Sequence, residues 1–383
     1  MRNFIRGSTK RLLQLLMPHE NRIAIELMAT IVIADDTKHY DGTYLETRPL
    51  GGTESSVIRL ARALARHGHD VTVHTNCDGP IEHEGVKWRP LAHEPPGSCD
   101  LYVATQHPYL LGFVPNARRR AIWVMWRVNH LKHYKQIWRM WRYRPVPVLV
   151  SLYQVRSYSP FLPGRNPHIV IPLALPDDIR GLPPLGAPPS RRAVFASRPE
   201  LDLKSLVEVW AKRILPRVPG AVLDVYGVHR LAAGQDAWSV WEGSFLPAGQ
   251  PPAVRQSVRV HPTLGRKELV DAIRSSRVVL HPGHRLEAFC LAVGEAQALG
   301  VPAVVGPIGA VPERVIDGVT GFHRADPQQF ADATVAVLTD DALWRRLHQA
   351  ALRDRQGISW ADAAERFETA LLSDRIPLDR SFR

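Results

Sequence analysis

The feature that most constrains the fold is an alternation of short apolar segments and helical segments that runs through the chain twice. The first half contains, in order, a strand pattern at residues 23–33, the Gly51-Gly52 turn, a helical pattern at 55–67 and a strand pattern at 71–75. A strand, a glycine turn, a helix and a second strand form a βαβ unit, the building block of parallel sheets. The same alternation starts again near residue 193.

A proline-rich segment, residues 172–190, separates the two halves and has the composition of a domain linker. We therefore expect an α/β protein with two Rossmann-like domains that face each other across an interdomain cleft. The expected parts are a basic amphipathic segment at 1–20, a first domain at 21–176, a linker at 177–190, a second domain at 191–359 and a C-terminal helix at 360–383 that crosses back to the first domain.

Composition narrows the class of partner and the compartment. The 383 residues carry a net charge of +12 and the pI is about 9.9, so the surface attracts anions such as phosphates, nucleic acid or acidic lipid. The three cysteines are far apart and have no metal-binding spacing, which favours a reducing cytoplasm. No apolar run reaches the ~18–20 residues of a transmembrane helix. The mixture of apolar and basic residues at positions 1–20 predicts either a helix on a membrane surface or a packed terminal helix.

Two glutamates eight positions apart mark the candidate site. Glu287 follows a strand pattern at residues 278–281, and Glu295 lies in the next helical pattern. The backbone N–H groups of residues 289–291 have no helical partner there, and unpaired N–H groups at a helix N-terminus bind anions. A diphosphate or a sugar hydroxyl fits this position, with the two carboxylates holding hydroxyl groups of a sugar and a ribose.

The string around these glutamates, residues 281–322, resembles the donor-binding segment of the retaining GT-B glycosyltransferases of glycosyltransferase family 4, which carries a Glu-x7-Glu motif. Two further segments are similar to that family. Arg198, with Lys204 six residues later, resembles the family's Arg…Lys pair on the donor diphosphate, and Gly51-Gly52 resembles its N-terminal glycine loop. The resemblance covers about residues 22–370 and implies a GT-B fold, with an acceptor-side first domain and a donor-binding second domain.

The resemblance implies a retaining transfer of a hexosyl-type sugar from a nucleoside-diphosphate sugar to a carbohydrate or lipid-linked acceptor, in bacterial surface glycan or glycolipid synthesis. The nucleotide sugar is a co-substrate, and neither a cofactor nor a metal ion is expected. Arg198 and Lys204 would stabilise the leaving diphosphate, Glu287 would bind the sugar near the reacting carbon, and Glu295 would bind the ribose. The expected donor contacts are Gly51, Gly52, Arg198, Lys204, Glu287, Ala288, Phe289, Cys290, Leu291 and Glu295.

The resemblance also implies a histidine from the first domain near the reacting sugar. His130 follows the strand pattern at residues 121–126 and is the preferred candidate, while His107 follows the preceding strand and is its rival. Neither lies in a complete family motif, so the sequence leaves both open.

Residues 118–144 combine four tryptophans with nine Lys or Arg residues. This pattern predicts a peripheral anchor on the inner face of an anionic membrane, a nucleic-acid surface, or an Arg-rich domain whose tryptophans pack inside. Two other functions also stay open. One is a nucleotide-sugar epimerase of GT-B fold, and the other is a non-catalytic scaffold that binds sugar nucleotides or lipid.

Overall fold

The structure is a computed structural model that describes residues 28–164, 169–226, 231 and 235–373. The basic segment expected at residues 1–20, residues 374–383 of the expected C-terminal part, and the glycine at position 227 lie outside the described residues. Within the described part, no helix has the length and apolar character that crossing a bilayer requires.

The first domain contains an α/β arrangement around one sheet. Its strands are β1 Thr30–His39, β2 Asp70–Asn76, β3 Ile81–His83, β4 Val86–Pro90, β5 Ser98–Thr105, β6 Asn116–Val124, β7 Val146–Leu149 and β8 Ile169–Val170. Its helices are α1 Tyr44–Thr47, α2 Gly52–Arg66, α3 Tyr134–Tyr143 and α4 Leu152–Ser157, with short 3-10 turns at Pro108–Gly112 and Val128–Lys132. The strand order is β3-β4-β2-β1-β5-β6-β7-β8, and only the β3–β4 pair is antiparallel.

The second domain repeats the arrangement with a smaller sheet. Its strands are β9 Arg192–Phe195, β10 Val222–Val225, β11 Val258–Val260, β12 Val278–His281, β13 Ala303–Val305 and β14 Gly321–His323, in the order β11-β10-β9-β12-β13-β14 and all parallel. Its helices are α5 Leu203–Val209, α6 Ala237–Trp241, α7 Pro252–Ser257, α8 Arg266–Arg274, α9 Leu291–Ala298, α10 Pro327–Thr339 and α11 Asp341–Asp354, followed by α12 Trp360–Leu371. The predicted pair of Rossmann-like domains is therefore confirmed.

Three elements of the first domain differ from the sequence-based prediction. Strand β1 continues to His39, although a loop was predicted from residue 34 onwards. The strand tolerates the polar Asp35 because Tyr40 and Thr105 donate hydrogen bonds to its buried carboxylate. Neither the β3–β4 hairpin nor helix α3 was predicted from the sequence. The inward-facing stripe of α3 consists of Ile137, Met140 and Tyr143, of which only Met140 is fully buried, and exposed aromatic residues on the opposite face mask this pattern in the sequence.

The last helix, α12, packs on the first domain although it follows the second in sequence. The Phe367 ring lies edge-on to the buried Trp123 ring, with 5.3 Å between their centroids. On the same helix, the Glu368 carboxylate lies 2.7 Å from His67 Nδ1 and 3.1 Å from His69 Nε2. These contacts attach the last helix of the described chain to the first domain.

Candidate active site

Each sheet has one point where the strand order reverses, and the candidate site residues lie at these two points. In the first sheet, β1 lies between β2 and β5, and in the second sheet β9 lies between β10 and β12. Ligands of open parallel sheets bind beyond the carboxyl ends of the strands at such switch points. His107 follows β5, while Arg198 follows β9 and Glu287 follows β12.

The loop that carries Glu287 is fixed by its own backbone. The Glu287 N–H donates to the His284 carbonyl at 3.0 Å, and the Glu287 carbonyl accepts from the Ala310 N–H at 2.9 Å. Gly309 has a φ of +73° and lies directly against the His284 carbonyl, where a Cβ atom would clash with backbone. Only glycine fits this close approach, so the loop is held where Glu287 enters the cleft.

The Glu287 carboxylate, 15% exposed, lies 3.7 Å from Nε2 of the buried His281. His281 Nδ1 accepts a hydrogen bond from the Gly283 N–H at 2.9 Å, which places the ring proton on Nε2, facing Glu287. Nε2 has no hydrogen-bond partner among the described residues. Burial and the neighbouring Glu287 charge raise the pKa of the Cys290 thiol, so this thiol is protonated and poorly nucleophilic.

His281, Glu287 and Cys290 therefore form a group whose ligand atoms all lie within 4.8 Å of one another. The fold thus brings together three side chains that could hold a metal ion, although none was expected from the sequence. The three residues escaped notice because their spacing matches no metal motif. The strand end at His281 and the turn after it bring them together.

The start of helix α9 has the features of an anion site. Cys290, its N-cap residue, adopts a left-handed conformation with a φ of 67°. The N–H groups of Phe289, Cys290 and Leu291 donate no hydrogen bond to another described residue. Because the positive end of the helix dipole adds to these groups, the position is suited to an anion, and the diphosphate expected there from the sequence stays a prediction. Ala288 lies beside them and is buried.

The predicted Arg198 and Lys204 occupy the other side of the same switch point. Arg198 is exposed beyond β9, and its guanidinium makes no hydrogen bond within the part of the chain that the structure describes. Lys204 lies in the first turn of α5, where its Nζ donates to the Gly243 carbonyl at 2.8 Å. The structure therefore shows Arg198 open to an anion, while Lys204 would have to exchange a backbone partner for a phosphate.

Glu295 forms an ion pair with Arg266, which was not predicted from the sequence. Arg266 Nη1 lies 2.9 Å from both carboxylate oxygens of Glu295, and Arg266 Nε lies 3.6 Å from Asp178 of the linker. Arg59 of helix α2 approaches this group from the first domain, and burial together with the Arg266 charge lowers its pKa. No sequence signal separates Arg266 from the other basic residues at helix starts.

The glycine loop of the first domain contacts the donor side directly. Gly52 begins helix α2, and a Cβ atom at this position would lie 2.7 Å from Leu291 Cδ1. Gly51 precedes it as the N-cap residue. Thr53 accepts a hydrogen bond from Trp126 Nε1 at 3.0 Å. The structure thus brings the glycine loop and the start of α9 together across the cleft.

The two candidate histidines have different surroundings. Both ring nitrogens of His130 lie 2.7 Å from backbone carbonyls, those of Arg127 and Gln106, so this ring braces the loop. His107 is half-buried, with its Nε2 3.7 Å from Asp36 Oδ1 and its ring stacked on Tyr109. Burial raises the pKa of Asp36, against the lowering effect of His107. His107 therefore has a ring nitrogen that faces a carboxylate at the switch point. On this geometry we favour His107, the rival candidate, over His130.

Comparison with known proteins places this site in a family. Residues 253–354 match the family model described as glycosyl transferases group 1, and residues 50–195 match the model of Glycosyltransferase Family 4. The chain belongs to glycosyltransferase family 4. The two matches lie in different domains, so this family 4 chain carries both halves of the cleft.

Curated relatives of the family 4 chain share part of its length. A D-inositol 3-phosphate glycosyltransferase of Streptomyces griseus is 32% identical over 209 residues, which cover 49% of this chain and 44% of that protein. Another, from Xylanimonas cellulosilytica, is 38% identical over 113 residues, covering 29% and 27%. The chain thus spans less than half the length of these curated relatives.

Solved structures confirm that the family 4 chain has the GT-B fold. Sucrose-phosphate synthase from Thermosynechococcus elongatus superposes with a TM-score of 0.67 at 15% identity, covering 89% of this chain and 98% of that chain. HepE from Anabaena, solved with UDP-glucose, gives a TM-score of 0.66 at 15% identity, covering 90% and 99%.

Proposed function

We propose that this family 4 chain transfers a hexosyl-type sugar from a nucleoside-diphosphate sugar to an acceptor hydroxyl, with retention of anomeric configuration and without a metal ion. The observation that carries the proposal is the placement of Glu287. Its carboxylate stands at the switch point of the second sheet, two residues before the first of the unpaired N–H groups at the start of α9. A carboxylate for sugar hydroxyls and a cradle for diphosphate are thereby adjacent.

The chemistry follows from these groups. The bond between the anomeric carbon and the diphosphate oxygen breaks, and its electron pair goes to the phosphate. Arg198 and the α9 N-terminus stabilise that charge, with Lys204 joining when it releases the Gly243 carbonyl. The acceptor oxygen bonds to the anomeric carbon on the same face, and its proton passes to the departing phosphate oxygen. No covalent intermediate on Glu287 is required.

His107 completes the site from the first domain in this proposal. Its contact with Asp36 and its stacking on Tyr109 hold the ring at the end of β5, where it can bind a sugar or acceptor hydroxyl. His130 then acts as a positioning residue, since its two ring nitrogens contact the backbone of the Gln106 and Arg127 segments. Closure of the cleft would exclude water from the reacting carbon.

The comparisons support a nucleotide-sugar donor and a polar acceptor. HepE is named as a complex with UDP-glucose, and the curated relatives are named for transfer to inositol 3-phosphate. We propose that the acceptor here is a carbohydrate or a lipid-linked carbohydrate, used in bacterial surface glycan or glycolipid synthesis on the cytoplasmic side of the membrane. We expect the loops at the cleft, rather than the sheets, to select the linkage and the donor sugar.

Donor binding is tested first by thermal shift against UDP-, GDP- and ADP-sugars. A donor that binds only the folded state adds RT ln(1 + [L]/Kd), about 2.7 kcal/mol at a concentration of about 100 Kd. We expect one nucleotide class to raise the melting temperature and to release nucleoside diphosphate on incubation. If none of the three classes binds, the proposal is wrong.

Catalysis is tested with Glu287→Gln, which keeps the size of the side chain and removes its charge. We expect turnover to fall by about 100-fold or more while nucleotide binding persists, because the lost interaction strengthens in the transition state. Glu365→Gln, at an exposed carboxylate on α12, is the matched control. An unchanged rate in Glu287→Gln would contradict the assigned role. A product with inverted configuration would exclude the retaining mechanism, and turnover without an acceptor to an isomerised sugar nucleotide would indicate an epimerase.

A further inference from the structure

Nearly all of the net positive charge of this protein comes from one continuous part of the first domain. Residues 101–176 contain eleven Lys or Arg residues and no Asp or Glu. The charge of this stretch therefore accounts for nearly all of the net charge of +12 of the whole chain. Elsewhere basic and acidic residues almost balance. An acid-free stretch of this length makes this part of the first domain positively charged, and the donor site does not use that charge.

Helix α3 lies within this stretch and exposes its aromatic side chains. Tyr134, Trp138 and Trp141 follow one another at helical spacing and are 69%, 64% and 48% exposed. They therefore form one stripe along a single face, since residues four and seven positions apart lie on the same side of a helix. Met140 is the residue through which α3 anchors to the domain core.

The aromatic stripe continues onto a neighbouring loop. Trp141 Nε1 donates a hydrogen bond to the Phe161 carbonyl at 2.9 Å, and the Phe161 ring is 75% exposed. Together, Tyr134, Trp138, Trp141 and Phe161 form a surface that we name the aromatic face. Four large rings left in water at one place cost solvation free energy, and exposed apolar patches of this kind mark an interaction site.

Cations border the aromatic face. Lys135 and Arg142 lie seven positions apart on the same flank of α3, and both are exposed. Arg144 lies at the end of the helix, with its guanidinium carbon 5.6 Å from the Trp141 ring centroid. Aromatic rings at headgroup depth with Lys and Arg beside them are the arrangement by which an amphipathic helix binds an anionic bilayer.

We propose that the aromatic face of α3 docks the first domain onto an anionic lipid bilayer. Nucleic acid is the weaker partner, because proteins bind single strands in basic grooves that follow the backbone, with bases stacked along them. The aromatic face lies instead on the outer side of one helix, which only Met140 fully buries in the domain. A planar, negatively charged partner fits that shape and charge.

The aromatic face is connected to the acceptor side of the cleft. Helix α3 packs on the 3-10 turn Pro108–Gly112, which directly follows His107. The Tyr143 hydroxyl lies against Gly112 at a distance that leaves no room for a Cβ atom. A docked α3 would thus hold His107 near the bilayer and favour a lipid-linked acceptor. This last point rests on the proposed function, whereas bilayer docking itself does not.

Vesicle flotation of the full chain tests the proposal. We expect binding to vesicles of phosphatidylcholine with about 30% phosphatidylglycerol and little binding to phosphatidylcholine alone, because each Lys or Arg near an anionic surface contributes about 1 kcal/mol. Lys135→Glu/Arg142→Glu should lower binding by about tenfold or more. The control is Arg259→Glu/Arg345→Glu, which makes the same charge change at exposed positions of the second domain and should bind within about twofold of the wild type.

A second variant, Trp138→Ser/Phe161→Ser, removes apolar area without changing charge and should also lower vesicle binding by about tenfold. The folding control is thermal unfolding without ligand, in which each variant should show a cooperative transition at the melting temperature of the wild type. Wild-type-like flotation in both surface variants would overturn the proposal, as would no flotation of the wild type.

The same variants separate the other outcomes. If the wild type binds single-stranded DNA in fluorescence anisotropy but not vesicles, and the surface variants lose that binding, the face is a nucleic-acid site and the proposal fails. If vesicle binding holds but no nucleotide sugar binds, the docking surface stands and the proposed transfer reaction fails. The two proposals are therefore tested independently.

Discussion

Gly52 of the first domain lies so close to Leu291 of the second that a Cβ atom at position 52 would stand 2.7 Å from Leu291 Cδ1. The contact joins the start of helix α2 to the start of helix α9, the two helix ends that face each other across the cleft. The absence of a side chain at position 52 therefore sets how closely the glycine loop approaches the proposed diphosphate cradle.

Substitution at position 52 should weaken closure without weakening the fold. In Gly52→Ala the end of the Leu291 side chain can move, so we expect a two- to fivefold loss of turnover. Gly52→Val should lose about tenfold or more, since overpacking costs about 1–3 kcal/mol. The melting temperature of Gly52→Ala should not fall, because alanine is a better helix residue than glycine. Steady-state kinetics and thermal unfolding of the two variants measure this, and full activity of Gly52→Val would refute the closed-cleft role.

The two histidines of the first domain should respond differently to alanine substitution. We expect His107→Ala to lower turnover by about 100-fold with little change in stability, as for loss of a group that contacts substrate. His130→Ala should lower turnover by tenfold or less and also lower the melting temperature, because it releases the Gln106 and Arg127 carbonyls that the ring contacts. The ratio of the two losses is the decisive measurement, and the reverse order would assign the substrate contact to His130.

Removal of metal ions tests the group formed by His281, Glu287 and Cys290. If these side chains act without a metal ion, as the proposed mechanism requires, turnover after dialysis against EDTA should stay within about twofold of its original value. Metal analysis of the purified protein provides the control. Loss of activity that Zn²⁺ restores, and that Cys290→Ser prevents Zn²⁺ from restoring, would show a functional metal at this group and refute the metal-free mechanism.

The contact of Glu368 with His67 and His69 should make docking of helix α12 sensitive to acid. Burial raises the pKa of Glu368, but the hydrogen bonds to His69 and His67 outweigh it, so the pKa in the folded protein is below the usual value of 4.5. A carboxyl with a depressed pKa stabilises the fold above its unfolded pKa and loses that contribution as pH falls through the folded pKa. Glu368→Gln should therefore lower the melting temperature by about 2–4 °C at pH 7.

The same substitution should have no effect below the folded pKa, where the wild-type carboxyl is also protonated. Thermal unfolding at pH 7 and at the lowest pH at which the wild type still unfolds cooperatively compares the two regimes. Glu365→Gln, at an exposed position of the same helix, should leave the melting temperature unchanged at both pH values. An equal loss for Glu368→Gln at both pH values would show that the carboxylate charge is not what stabilises the helix.

The sequence by itself determined the alternation of strands and helices, the two Rossmann-like domains and the donor-side string around Glu287. These are local properties, because periodicity, glycine turns and helix starts depend on residues that are close together in the chain. The two sheets then bring Arg198 and Glu287 to one switch point, as strand order requires. Helix α3 is the exception, since exposed aromatic residues on its outer face mask the short inward stripe of Ile137, Met140 and Tyr143.

Only the tertiary structure decided which polar groups meet. Arg266 pairs with Glu295 over 29 positions, and both ring nitrogens of His130 contact backbone carbonyls, whereas Nε2 of His107 faces Asp36. The exposure of Trp138 likewise depends on what packs around its helix. Such pairings are set by packing between segments that are distant along the chain. No local sequence pattern therefore indicates which of several histidines or arginines will contact a given carboxylate.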